Sequence, residues 1–184
     1  MIYPIVVYGN PVLKKRGRDL EEGEIDVVQL AADMYETMEQ AEGVGLAAPQ
    51  IGKSIRMFVI DATKMEDPEV GEFRQIFINP EITNEEGEEW AFEEGCLSIP
   101  EVREEVFRQE TLTIKFFDEN WQAHEQTFDG LQARIIQHEY DHIEGILFTD
   151  HLSPLKRRLL KTKLGNISKG NIQPKYRIKA PLAR

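Results

Sequence analysis

The spacing of hydrophobic and polar positions changes period several times along this chain. Residues 26–42 carry apolar positions at helical intervals, with Asp26 and Gln29 placed as a capping box at the start. Short, extended apolar stretches follow at 56–61, 75–79, 88–93, 111–118 and 122–128 and read as strands. The segment 63–74, with Pro68 and Gly71, reads as a loop. A second helix is predicted from Asp129, with Gln132 as capping-box partner, to a stop at Gly145. A third is predicted over 154–164, with Ser153 as N-cap, Pro154 at the first helical position and Gly165 as its stop. Helices set around a run of non-alternating strands argue for α+β and against a doubly wound sheet.

The second helix holds the most informative residues. Leu131, Ile135, His138 and His142 follow a 4-3-4 spacing and form one stripe, so the two histidines extend an apolar face. Buried imidazole nitrogens need partners. Residues 138–142 read HEYDH, which places both rings within reach of one metal ion, and Glu139 beside the first to accept a proton from water held there. The plain alternative is a charged, exposed helical turn that matches the pattern by accident.

An open catalytic site needs a third protein ligand. Downstream, Gly145 matches the longer histidine-rich form of the motif, but Phe148 stands where its third histidine would be. Asp150 is too near, and His151 fits neither downstream pattern. The best upstream candidate is Cys96, the only cysteine, in Glu94-Gly95-Cys96-Leu97-Ser98. A lone cysteine is usually a small buried apolar residue. A Gly-Cys turn among charged residues is atypical of a core, and a thiolate binds metal strongly, so the ligand reading is preferred.

A third segment, Gly43-Val44-Gly45-Leu46-Ala47-Ala48-Pro49-Gln50-Ile51-Gly52, lacks the Lys and Ser/Thr of a phosphate loop. Gly43 reads as closing the first helix, the glycines permit close backbone approach, and Gln50 has an amide NH2 to offer an oxyanion.

GVGLAAPQIG, EGCLSIP and QHEYDH, in that order, resemble the three signature motifs of the peptide deformylases, over about residues 43–145. The resemblance implies sheets, mixed or antiparallel, wrapped around a central metal-binding helix, with helices nearer each end of the chain. It implies removal of formate from the N-formyl-methionine of new polypeptides. Cys96, His138 and His142 are then metal ligands, and Glu139 is the general base and later acid. Gln50 and the Leu97 backbone NH are the oxyanion donors, and Gly45 backbone helps bind substrate. Val44, Leu131, Ile135 and the His138 ring would wall the methionine pocket. The implied cofactor is one divalent ion, Fe(II), with zinc, nickel or cobalt as substitutes.

Around this centre, Arg134 reads either as a pocket-mouth residue with a wet head or as a surface arginine. Gln137 and Glu94 are expected to orient ligands, Arg103 to pair with a carboxylate such as Glu94, and Asp141 to anchor the helix. His124 has no spacing relation to the site.

Length and composition fit one catalytic domain, assigned to 1–165, with a basic tail at 166–184. Against a net charge of −11, residues 150–184 carry ten Lys or Arg and one acid, Asp150. The plain reading is a solvated helix face and frayed end; the functional one is docking on ribosomal RNA. One cysteine suits a reducing cytoplasm, and the start of the chain lacks the features of a signal peptide. Two rivals stand beside the deformylase reading. A different metal-dependent amidase would prefer unformylated peptides, and a non-catalytic ribosome-binding protein with a closed structural metal would have no use for Glu139.

Overall fold

The computed structural model describes residues 1–65 and 67–181. Residue 66 of the expected loop and residues 182–184 of the expected tail lie outside them. The architecture is α+β. Helix α1 (Val27–Gln40) precedes a five-stranded antiparallel sheet made of β2 (Gly45–Ala47), β3 (Met57–Asp61), β4 (Arg74–Cys96), β5 (Ile99–Phe117) and β6 (Ala123–Asp129), in that spatial order. Helices α2 (Gly130–Glu144) and α3 (Pro154–Ser168) follow. Strand β1 (Ile5–Val6) pairs in parallel with β7 (Ile178–Lys179) in a separate two-stranded sheet.

Strand β3 explains how the sheet holds α2. Its side chains alternate between two cores. Met57 and Val59 pack with Leu30, Met34 and Met38 of α1. Phe58 and Ile60 face the other way, against Ile135, Ile136 and Phe77. With both faces covered, the strand reads as an unbroken apolar run. A third cluster joins Val6, Ile99, Val106, Phe148, Leu164 and Ile167, linking the chain's first strand to α3.

Two stretches expected as separate strands, 75–79 and 88–93, are parts of the 23-residue β4. Residues 99–110, left unassigned by pattern, form the first half of β5. For β4 the reason is exposure: most of it from Glu81 to Glu89 faces solvent, so its sequence carries charge where a half-buried strand would alternate. Register shifts near Ile78, Ile82 and Glu86 break the periodicity further.

Helix ends also differ in detail. Asp26 caps α1 by accepting from the Gln29 amide at 2.9 Å, but the Gln29 side chain turns to Asp33 instead of closing the box. Past α1 the left-handed residue is Glu42, with φ of 57°, rather than Gly43. Asp129 makes no side-chain cap to α2; Gln132 instead donates to the Val70 carbonyl at 2.8 Å. Gly145 ends α2 in the left-handed conformation as expected. Ser153 caps α3, yet that helix runs through Gly165 to Ser168, because Leu164 and Ile167 are buried and hold its last turn. The division expected between 165 and 166 therefore falls inside α3.

Candidate metal centre and substrate cleft

Helix α2 brings His138 and Glu139 to the wall of a cleft of about 930 Å³ and holds His142 buried beside them. The two rings, one helical turn apart, have centroids 5.1 Å from each other. Cys96 arrives from the last position of β4, where the chain turns into β5, and its Sγ lies 3.3 Å from Nε2 of His142. The ligand atoms of Cys96, His138 and His142 all lie within 4.8 Å of one another.

The surroundings test whether this group suits an ion. Glu94 Oε2 holds Nδ1 of His138 at 2.9 Å, which leaves the other ring nitrogen for the cluster. Burial works against ionisation of the Cys96 thiol, but the His142 and His138 imidazoles outweigh it and bring the thiol down to about 5. A thiolate and two imidazoles form the donor set of zinc and other late first-row divalent metals, and three ligands leave a position open. The residues fit such an ion.

Glu139 is buried beside them, and its Oε2 has no hydrogen-bond partner among the described residues. Burial pushes this carboxyl up to about 7. An unpartnered, raised carboxyl next to a cation site has the properties of a proton carrier near neutral pH. Gly45 of β2 passes directly over it.

Gln50 sits in a 3-10 turn (Ala48–Ile51) directly after β2. Its Oε1 accepts from the Ala47 amide at 2.8 Å, so its NH2 is fixed toward Cys96 Sγ, 3.6 Å away, and Ser98 Oγ, 3.2 Å away. Val44, Gly45, Leu131, Arg134 and Ile135 all line the cleft.

Several expected roles are corrected. Arg134 is neither wet nor on the surface: it is 3% exposed, donates to Glu94 and to the Val106 and Trp90 carbonyls, and lies over the Trp90 ring. Arg103 does pair with a carboxylate, loosely, but it is exposed Glu93 rather than Glu94. The partner of Glu94 is Arg108, whose Nε and Nη2 reach its two oxygens at 2.7 and 3.1 Å. Gln137 orients no ligand; it donates to Glu85 and to the Gln109 carbonyl. Asp141 does anchor α2, accepting from Arg108 at 2.8 Å and pairing with His151 at 2.7 Å, which removes His151 from the ligand candidates. His124 lies on β6, paired with Asp118.

Three contributors were missed by sequence reasoning: Arg108, Met65 of the 63–74 segment, and Tyr176. Met65 and Tyr176 line the cleft. Arg108 was findable had β4 and β5 been read as one hairpin, which pairs it with Trp90. No sequence pattern pointed to Tyr176.

A convergent Cys-His-His cluster with a buried carboxyl at its side, on the floor of an open cleft, defines a hydrolase of the HExxH class. Residues 2–158 match the family model described as polypeptide deformylase. A peptide deformylase of Cytophaga hutchinsonii is 58% identical over the full length of both chains. The crystal structure of a peptide deformylase from Legionella pneumophila superposes with a TM-score of 0.81 at 40% identity, covering 93% of this chain and 98% of that one. The peptide deformylase of Thermus thermophilus gives 0.82 at 40% identity, covering 91% and 98%. This chain belongs to the polypeptide deformylase family. It is a hydrolase whose family activity, deformylation of nascent peptides, depends on a metal.

Proposed function

We propose that the cleft binds the N-formyl-methionyl end of a nascent peptide with its formyl group at the Cys96–His138–His142 cluster, and that Glu139 moves the protons. The observation that carries this reading is the Glu139 carboxyl, buried, unpartnered and raised to about 7 beside the three ligand atoms. Cys96, His138 and His142 would hold a divalent ion there, Fe(II) with zinc, nickel or cobalt as substitutes, which would supply Lewis acidity toward the formyl oxygen and water. Glu139 accepts the proton of the attacking water as its oxygen bonds to the formyl carbon. It then returns that proton to the amine nitrogen as the C–N bond breaks, leaving formate and a free amino terminus. Gln50 Nε2, held by its own carbonyl's bond to Ala47, and the Leu97 backbone NH donate to the oxygen on which charge develops. Val44, Leu131 and Ile135 receive the methionine side chain, and Arg134 stiffens the wall behind them from within the Glu94 network. Gly45 lies on β2, the edge strand of the sheet, and offers backbone to the peptide.

The protein purified without oxygen should release formate from formyl-Met-Ala-Ser. Glu139→Gln should abolish release while metal content stays the same. Absence of release from protein fully loaded with Fe(II) would sink the proposal and return the amidase and structural-metal readings.

The same reading includes a cytoplasmic location and a ribosomal partner. Among the described residues no helix is long and apolar enough to cross a membrane. Arg157, Arg158 and Lys161 are exposed on α3, opposite in sign to the acidic body, and suit the RNA phosphate backbone. Reversing the charge of Arg157 and Arg158 should weaken ribosome binding, most at low salt; unchanged affinity removes that part of the proposal.

A further inference from the structure

The segment after α3 returns to the cleft. It crosses residues 174–176, all of which line the cleft wall, and is then tied down by β7 pairing with β1. Within it, the Tyr176 hydroxyl donates to the Leu97 carbonyl at 2.7 Å, a bond spanning 79 positions of sequence. The Tyr176 ring also packs on the core formed by α1 and β3.

Leu97 is gripped from its other side as well. A Cβ on Gly43 would lie 2.7 Å from Leu97 Cδ1, so the leucine side chain fills the space that the glycine leaves. The residue immediately after the Cys96 ligand thus has its side chain lodged against the loop following α1 and its carbonyl tethered by Tyr176. The carbonyl tether limits ψ at Leu97 and the pairing of Cys96 with Ile99 across the same turn limits its φ, so the direction of its backbone NH has little freedom left. Donors aimed in advance at a developing oxyanion are worth more than donors that must be ordered during the reaction.

We infer that Tyr176 is a positioning residue of this enzyme: through its bond to the Leu97 carbonyl it holds the Cys96-Leu97-Ser98 turn so that the Leu97 NH faces the reacting oxygen. This rests on the proposed role of Leu97 as oxyanion donor. Tyr176 itself transfers no proton. The stretch around 174–176 then belongs to the catalytic unit, in contrast to a tail beginning at 166.

The test is Tyr176→Phe in the metal-loaded full-length chain, assayed for formate release from formyl-Met-Ala-Ser. Phenylalanine keeps the ring and loses only the hydroxyl. The expected result is a fall in kcat of roughly 3- to 10-fold, the size of one neutral hydrogen bond, with KM within about twofold. Amide hydrogen exchange should quicken at Tyr8, whose NH donates to the Ser98 carbonyl of the same turn at 2.8 Å, while β3 amides keep their protection, a local change that general destabilisation does not produce. Unchanged kcat, or a rise in KM alone, overturns the inference. So does exchange that quickens equally across β3. If the wild-type protein releases no formate, the underlying reading falls as well; if wild type and variant release it at equal rates, this inference falls alone.

Discussion

Gly45 and Glu139 occupy adjoining space so closely that a Cβ on Gly45 would collide with Oε1 of Glu139 and lie 2.8 Å from its Cγ. The glycine matters here for lack of a side chain, and the group it makes room for is the proposed proton carrier. In Gly45→Ala the flexible end of Glu139 gives way first, so the fold survives and the carboxyl moves. We expect kcat to drop by roughly 100-fold with metal content unchanged, the scale set by an ångström of misplacement at a reacting group. Activity within about threefold of wild type would show that the contact does not position Glu139.

The raised Glu139 carboxyl makes the stability of the metal-free protein depend on pH. Its value in the fold, about 7, exceeds the ordinary 4.5 because of burial. The protonated form is favoured on folding, so this contribution is fully present below about pH 4.5 and is lost as pH rises through about 7. The loss is on the order of 3 kcal/mol by the end of that window. Urea unfolding of the metal-free wild type and Glu139→Gln across it should show the wild type weakening relative to the variant. Parallel curves would contradict the assignment.

Arg108 is predicted to matter as much to the fold as any apolar core residue. It is 8% exposed and bonds both Glu94 and Asp141, and so ties the β4–β5 hairpin to α2. Against the upward push of burial, bonds from His138 and Arg108 hold the Glu94 carboxyl well below the usual range. Arg108→Met strands part of that charge and should cost about 3 kcal/mol or more in chemical denaturation. Lysine should not restore it, since one ammonium cannot reproduce the fork on Glu94 and also reach Asp141. A loss below about 1 kcal/mol would mean that Arg134 and His138 suffice for Glu94.

The residues that gather at the candidate metal centre were more legible in the sequence than the frame that holds them. His138, Glu139 and His142 are neighbours on one helix, and local spacing reports them directly. Cys96 and Gln50 were reached through chemical type. Arg108 and Tyr176 were not, because their roles arise from pairing across a hairpin and from a bond spanning 79 positions, which no local pattern encodes. Arg134 misled for a related reason. One turn before His138 the spacing places it correctly at the cleft, but only the β4–β5 hairpin supplies the carboxylate and carbonyls that let a guanidinium be buried there. The exposed half of β4 was misjudged because charge on a solvent-facing strand resembles a loop.

Strand β3 has a consequence for what kinds of change this protein tolerates. Because Met57 and Val59 serve one core and Phe58 and Ile60 the other, conservative replacement at any one of them disturbs a single packing layer. Adding or deleting one residue ahead of Met57 is different in kind, since it exchanges the two sets of side chains at once and sends phenylalanine into space shaped for methionine. The composition of this strand can therefore change more freely than its length or phase, and an added residue is tolerated better in a connection between elements, such as the one leading into β4.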